Sequence, residues 1–317
     1  MKKRYLVPAL IALSVVSLFV GVIDLSPKEL FSMSERQTQI LFASRVPRLA
    51  SIIIAGMSMS IVGLIMQQLT RNKFVSPTTA GTDEAARLGV LVAIMTFAGA
   101  SSMTKMLIAF AFALAGTYIF MKLLDRVKYK DSIFIPLVGL MFGSIIGSAT
   151  TFFAYKNDLI QNITSWMQGD FSLIVRGSYE LLYLSVPVLI VAYAYANRFT
   201  VAGMGESFAV NLGLNYKQVV NIGLAIVALV SAVVLLTVGM IPFLGLIIPN
   251  LVTMYRGDHL RNSLTSTALF GAAFLLACDI FGRLILFPYE IPIGLTVGVI
   301  GSAIFLYMLL RRNNHGA

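Results

Sequence analysis

The sequence predicts an all-α membrane protein of about ten transmembrane helices, with both termini on the cytoplasmic side. Three observations lead there. First, 58% of the 317 residues are hydrophobic, only 12% are charged, and mean hydropathy is +0.86. A soluble domain carries about 25% charged residues, so these few charges cannot clothe a water-facing surface and the apolar excess must face lipid. Second, apolar runs recur along the whole chain, most of them near the roughly 20 residues that a helix needs to cross a bilayer. Third, of the 24 Lys and Arg, 15 fall in segments on one side of the resulting topology, 7 on the other, and Arg87 and Arg283 within spans. Short cytoplasmic loops collect positive charge, which places both termini inside.

The first run, near 5–23, follows Met1-Lys2-Lys3-Arg4 in the manner of a signal peptide. No small-residue cleavage site follows it and further spans come later, so it is read as a retained span. The next runs lie near 47–68, 78–98, 103–123, 132–155, 179–197 and 217–238. The eighth, 243–256, is too short for an ordinary span and carries Pro242 and Pro249. It is read as broken, or as entering the membrane only partway. Runs near 264–286 and 291–310 complete the set. Trp166, Tyr179 and Tyr183 fall near the outer interface, where amphipathic rings anchor. No hydrophilic stretch is long enough for a second domain, so 1–317 reads as one membrane domain.

Two connections exceed tight turns. Residues 24–46 lie outside. Residues 198–216 lie inside, where Gly203 and Gly205 break the incoming helix. Glu206 to Leu212 then suits a short helix with Phe208, Ala209 and Leu212 on one side, closed by Gly213. Such a helix can dock in a groove of a soluble partner, or it can be a plain re-entry turn.

Several chemistries are excluded. No basic segment carries an RNA-type motif, so the net charge of +10 reflects topology and not nucleic acid. Cys278 is the only cysteine, which leaves no disulfide and no Cys cluster for a metal. His259 and His315 both lie in inner segments. No GxxxxGK[ST], HExxH or GxSxG occurs. The chain therefore has no catalytic residues, metal or cofactor of its own, and ATP-driven work must come from another polypeptide.

Charges inside spans need partners, because an ionised side chain at bilayer depth costs about 2.5–3.5 kcal/mol on insertion scales. Asp279 and Arg283 stand at i, i+4 and can pair on one helix face. The pair either fixes helix packing or contacts a solute. Asp83 and Arg87 repeat the spacing near the inner start of the third span, and Glu84 between them has no evident local partner. A proton relay through Asp83 or Glu84 is the alternative use, and belongs to a secondary transporter. Gly139, Gly143 and Gly147 form GxxxG steps, as do Gly294 and Gly298, followed by Gly301. These suit a tight bundle or the wall of a pathway.

Several segments together resemble the FecCD family, permeases of type II ATP-binding-cassette importers for ferric siderophores, haem and vitamin B12. Arg45-Val46-Pro47-Arg48 resembles the family's RxPR entry to its second helix. In RNKFVSPTTAG, residues 71–81, Asn72, Pro77 and Gly81 match the family segment, while Lys73 replaces its first Pro. In GMIPFLGLIIPNLVTMYRG, residues 239–257, Gly239, Ile241, Phe243, Gly245, Leu246, Pro249 and Arg256 match the strongest signature, while Asn250 replaces its His. Gly271-Ala272 and Asp279…Arg283 match the pattern that follows. The stretch around Lys73 resembles the subgroup importing catecholate or petrobactin-like siderophores in Gram-positive bacteria.

The resemblance implies ten helices per subunit and two permease subunits, identical or different, around a central pathway. It implies two cytoplasmic ATPase subunits, with residues 203–213 as the coupling element between the sixth and seventh helices. It also implies an extracytoplasmic siderophore-binding protein, for which Arg45, Arg48 and the 24–46 loop are the expected contacts. On this reading the chain is an iron-siderophore permease of the cell membrane. The haem and vitamin B12 branches and a proton-coupled transporter are its rivals.

Overall fold

A computed structural model describes residues 3–21, 34–126, 134–257 and 259–313. Among these, fourteen α-helices account for most of the chain and no strand forms. They are α1 (Lys3–Phe19), α2 (Glu35–Ile40), α3 (Val46–Leu69), α4 (Thr82–Thr96), α5 (Ser102–Arg126), α6 (Phe134–Lys156) and α7 (Ile160–Met167). There follow α8 (Ser185–Ala194), α9 (Ala196–Ala202), α10 (Glu206–Asn211), α11 (Tyr216–Val238), α12 (Leu244–Arg256), α13 (Leu260–Leu284) and α14 (Ile293–Asn313).

Over its described residues each of the ten apolar runs lies mainly on helix, but not each is a full span. Five stretches are long and apolar enough to cross a bilayer: Gln37–Leu69, Ser102–Leu124, Phe134–Lys156, Tyr216–Val238 and Leu260–Leu284. A sixth is added if the run Glu180–Ala194 and α9, bent by 61° at Tyr195, count together. The count of ten is therefore not reached by length. α4 has 15 residues, about 22 Å of rise against a hydrocarbon core of about 30 Å.

The expected 24–46 connection is shorter than read. Residues 22–33 lie outside the described residues, but helix begins at Glu35. Ser34 and Gln37 form a capping box that starts it. A π-helical turn over Leu41–Arg45 then precedes Pro47. Proline has no N–H and its ring crowds the carbonyl four residues back, here that of Ala43. The π turn moves this carbonyl aside, and the amide of Arg176 donates to it at 3.0 Å.

α3 and α11 form the interior. Buried residues make up 72% and 78% of their apolar windows, against 28% and 22% for α5 and α6. α3 packs on α11, α12 and α13. Small residues allow the close approach: a Cβ added at Gly56 would lie 2.8 Å from Ala272 Cα and 2.9 Å from the Gly271 carbonyl. The Gly271-Ala272 motif is thus the place where α13 lies against α3. Cys278, on the same helix, is buried. Trp166 is half-buried against the α4–α5–α11 cluster, and Tyr183 donates to the Tyr179 hydroxyl at 3.1 Å.

Candidate functional site

Residues 70–81 carry the polar part of the bundle inward. Asn72 Oδ1 accepts from Phe74 N at 2.9 Å, which turns the chain after α3. Asn250 Nδ2 donates to the Lys73 carbonyl at 2.6 Å and to Leu246 O at 2.9 Å. Pro77 is buried, and its ring lies against Gly245: a Cβ there would be 2.7 Å from Pro77 Cδ. Gly245 is the second residue of a 13-residue helix, so Pro77 sits about 16 Å along α12 from its Arg256 end. Gly81 then turns the chain with φ +74° and starts α4. The start of α4 is therefore deep in the bundle, not near the inner surface as expected.

Pro249 explains a second close approach. It removes the N–H that would bond the Gly245 carbonyl, and that carbonyl faces Gly63 of α3 instead. Gln67 Nε2 donates to the Leu246 carbonyl at 3.0 Å. Arg256 lies in the last turn of α12, where a cation suits the helix dipole.

Because α4 starts deep, its first-turn charges line a cavity of about 650 Å³ between α4 and α6. Asp83, Glu84 and Arg87 form one wall. Gly143, Gly147 and the Ser144 and Ser148 hydroxyl groups form the other, and Met240 closes an end. The GxxxG stripe of α6 thus lines this cavity as well as packing on α4. The expected Asp83–Arg87 pair is absent. Arg87 reaches Glu84 instead, at 3.6 Å and i, i+3. The Asp83 side chain points away, is only 9% exposed, and its Oδ1 is buried without a hydrogen bond.

The far end of α13 holds an ion network larger than the expected pair. Asp279 pairs with Arg283 at 2.7 Å, as the spacing implies. It also accepts from Arg48 Nη2 at 2.8 Å, and Arg48 Nη1 reaches Glu290 at 2.6 Å. Arg283 donates to the Ser17 and Val20 carbonyls at 3.0 and 2.7 Å and to Ser17 Oγ at 2.6 Å. Arg45 is buried and donates to the Leu18 carbonyl. This corrects the expectation that Arg45 and Arg48 face an outside protein: both turn inward and tie α3 to α1 and α13. The sequence signal for Glu290 was charge balance, since two arginines around one aspartate call for a second anion.

At the opposite end, α9 ends at Ala202, Gly203 packs on Gln68, and Gly205 has φ +113°. α10 spans Glu206–Asn211, one residue shorter than expected, and Gly213 closes it with φ +78°. Ala209 does not share a side with Phe208 and Leu212. It is fully buried against the bundle, while Phe208 and Leu212 are 49% and 62% exposed, with Met204 and Val210 also exposed. Glu206 sits half-exposed in the first turn of α10, where an acid suits the helix dipole. The feature is an apolar knob on a short helix fixed by one small residue.

The sequence profile of the FecCD transport family matches residues 9–311. The chain belongs to this family. It is 66% identical over 312 residues to the petrobactin import system permease protein YclN of Bacillus subtilis, covering 98% of this chain and 99% of that one. It is 40% identical to the ferric-anguibactin transport system permease protein FatD of Vibrio anguillarum, covering 96% of each. In fold it matches a metal-chelate type ABC transporter in an inward-facing conformation, with TM-score 0.84 and 22% identity over 97% of this chain and 98% of that one. This FecCD chain is thus a multi-pass membrane protein with the fold of an importer permease.

Proposed function

We propose that this chain is a permease subunit of an ATP-driven importer that carries an iron-siderophore complex across the cell membrane into the cytoplasm. The observation that carries the proposal is the end-to-end 66% identity to a petrobactin import permease. The geometry suits the role. A second permease subunit, identical or different, would complete the wall of the α4–α6 cavity. A binding protein would deliver the chelate on the side of the Arg48 network. Two cytoplasmic ATPase subunits would each receive an α10 knob, and closure of the ATPase pair would move α10 and the helices attached to it. The cycle then alternates between two global states of different solute affinity. The chain makes and breaks no covalent bond.

The test is uptake of radiolabelled iron in a deletion strain and its complemented parent. The chelates are a catecholate siderophore, a hydroxamate siderophore and haem, with labelled vitamin B12 alongside, each with and without ATP depletion. Loss of one ATP-dependent iron-chelate signal on deletion, restored by the gene, is expected. Unchanged uptake of all four, or uptake that survives ATP depletion, would overturn the reading. The second outcome would favour a proton-coupled transporter using Asp83 or Glu84.

A further inference from the structure

The buried acid at the start of α4 has an oxygen with no hydrogen-bond partner among the described residues. Asp83 is nine-tenths buried, lines the 650 Å³ cavity, and has an Oδ1 with no donor within reach. Its neighbour Glu84 lines the same cavity, and Glu84 Oε2 also lacks a hydrogen bond. Among the described residues the one cation lining the cavity is Arg87, held loosely by Glu84 at 3.6 Å. Two carboxyl groups thus share one guanidinium on this wall. A buried carboxylate without a counter-charge is costly, and the cost is relieved by a cation or a strong hydrogen-bond donor placed against it. The cavity has the volume of a small-molecule site, within the usual range of about 300–1,000 Å³.

We infer that the Asp83–Glu84 wall is a cargo-recognition site that takes a protonated amine of the transported chelate. The inference rests on the importer reading and names the part of the cargo that the cavity selects. Asp83 supplies the desolvated carboxyl group, which a bound ammonium holds ionised, and Glu84, 34% exposed at its side chain, supplies the outer acceptor. The glycine stripe of α6 leaves room opposite: a Cβ at Gly147 would lie 2.9 Å from Glu84 Oε2, so any larger residue there would displace the carboxylate.

The test uses the complete transporter in proteoliposomes with its binding protein, and two ferric chelates. One carries a protonated secondary amine in its linker, and the other is identical except for an ether oxygen in that place. Variant-to-wild-type ratios cancel any preference of the binding protein. Asp83→Asn and Glu84→Gln keep side-chain size and remove charge. Each is expected to raise KM for the amine chelate by about tenfold, the scale of one charge-assisted hydrogen bond, and to leave the ether chelate within about twofold. Equal effects on both chelates, or none on either, would overturn the site. Should Asp83→Asn fail to co-purify with its partners, the more exposed Glu84→Gln decides alone. Absence of ATP-dependent uptake of either chelate by the wild type would instead overturn the importer reading.

Discussion

Asn250 donates to the carbonyl of Lys73 at 2.6 Å, a bond between residues 177 positions apart in the sequence. The same amide also caps the Leu246 carbonyl, so Asn250 joins α12 to the segment that carries Pro77 inward.

Asn250→Ala is therefore expected to lower stability by about 1 kcal/mol, the net worth of a typical hydrogen bond, since Gln67 still donates to the Leu246 carbonyl. Thermal unfolding of the purified transporter measures it. Asn250→His should retain more stability than Asn250→Ala if a ring donor can still reach the Lys73 carbonyl.

The Arg48–Asp279–Arg283–Glu290 network gives a graded prediction. Asp279→Ala leaves the buried Arg283 guanidinium without a carboxylate and Arg48 with Glu290 alone, and breaking a buried ion pair from one side costs about 3–5 kcal/mol. Folded yield should fall sharply. Glu290→Gln removes a partly exposed carboxylate and should cost about 1 kcal/mol or less. Comparable losses for both variants would show that the network does not centre on Asp279.

α10 separates coupling from folding. Leu212→Asp and Phe208→Asp alter exposed side chains and should abolish ATP-dependent uptake while membrane insertion and thermal stability hold. Ala209→Asp should lower folded yield, because it places a charge against the bundle. Gly205→Asp is a poorer probe, since φ +113° strains any side chain there. Normal uptake by the Leu212 and Phe208 variants would remove α10 from the coupling path.

Gly63 and Gly147 test the two close approaches. Gly63→Val sets a side chain against the Gly245 carbonyl and should prevent folding of the α3–α12 pair. Gly147→Ala displaces only the Glu84 carboxylate, so the protein should fold and uptake should fall several-fold. Detergent-stable yield and transport rate, measured together, distinguish the two.

Helix positions were legible because lipid-facing and interior helices both demand apolar runs, and over their described residues all ten runs lie mainly on helix. Depth was not. The run 78–98 was read as starting near the inner surface, and the fit of Pro77 against Gly245 shows that its start lies inside. The Asp279–Arg283 pair was legible from i, i+4 spacing. The Asp83–Arg87 pair had the same spacing and did not form, because Arg87 turns to Glu84 and Asp83 to the cavity. Spacing shows which side chains can meet, and the surrounding cavity decides which do. Ala209 was misplaced for a related reason: on a six-residue helix, orientation is set by the turns at Gly205 and Gly213, not by its own pattern.

The open side of the α4–α6 cavity has a consequence for how the chain lives before assembly. Ser144, Ser148 and Thr151 edge an opening onto carboxylates that hydrocarbon solvates poorly. A lone subunit is thus a badly matched guest of the bilayer, held there by its other faces but marked by this one. In a cell that makes no companion subunit, the orphan should be recognised by membrane quality control and turned over quickly. The groove that would serve transport would then also serve as a check that the complex has formed.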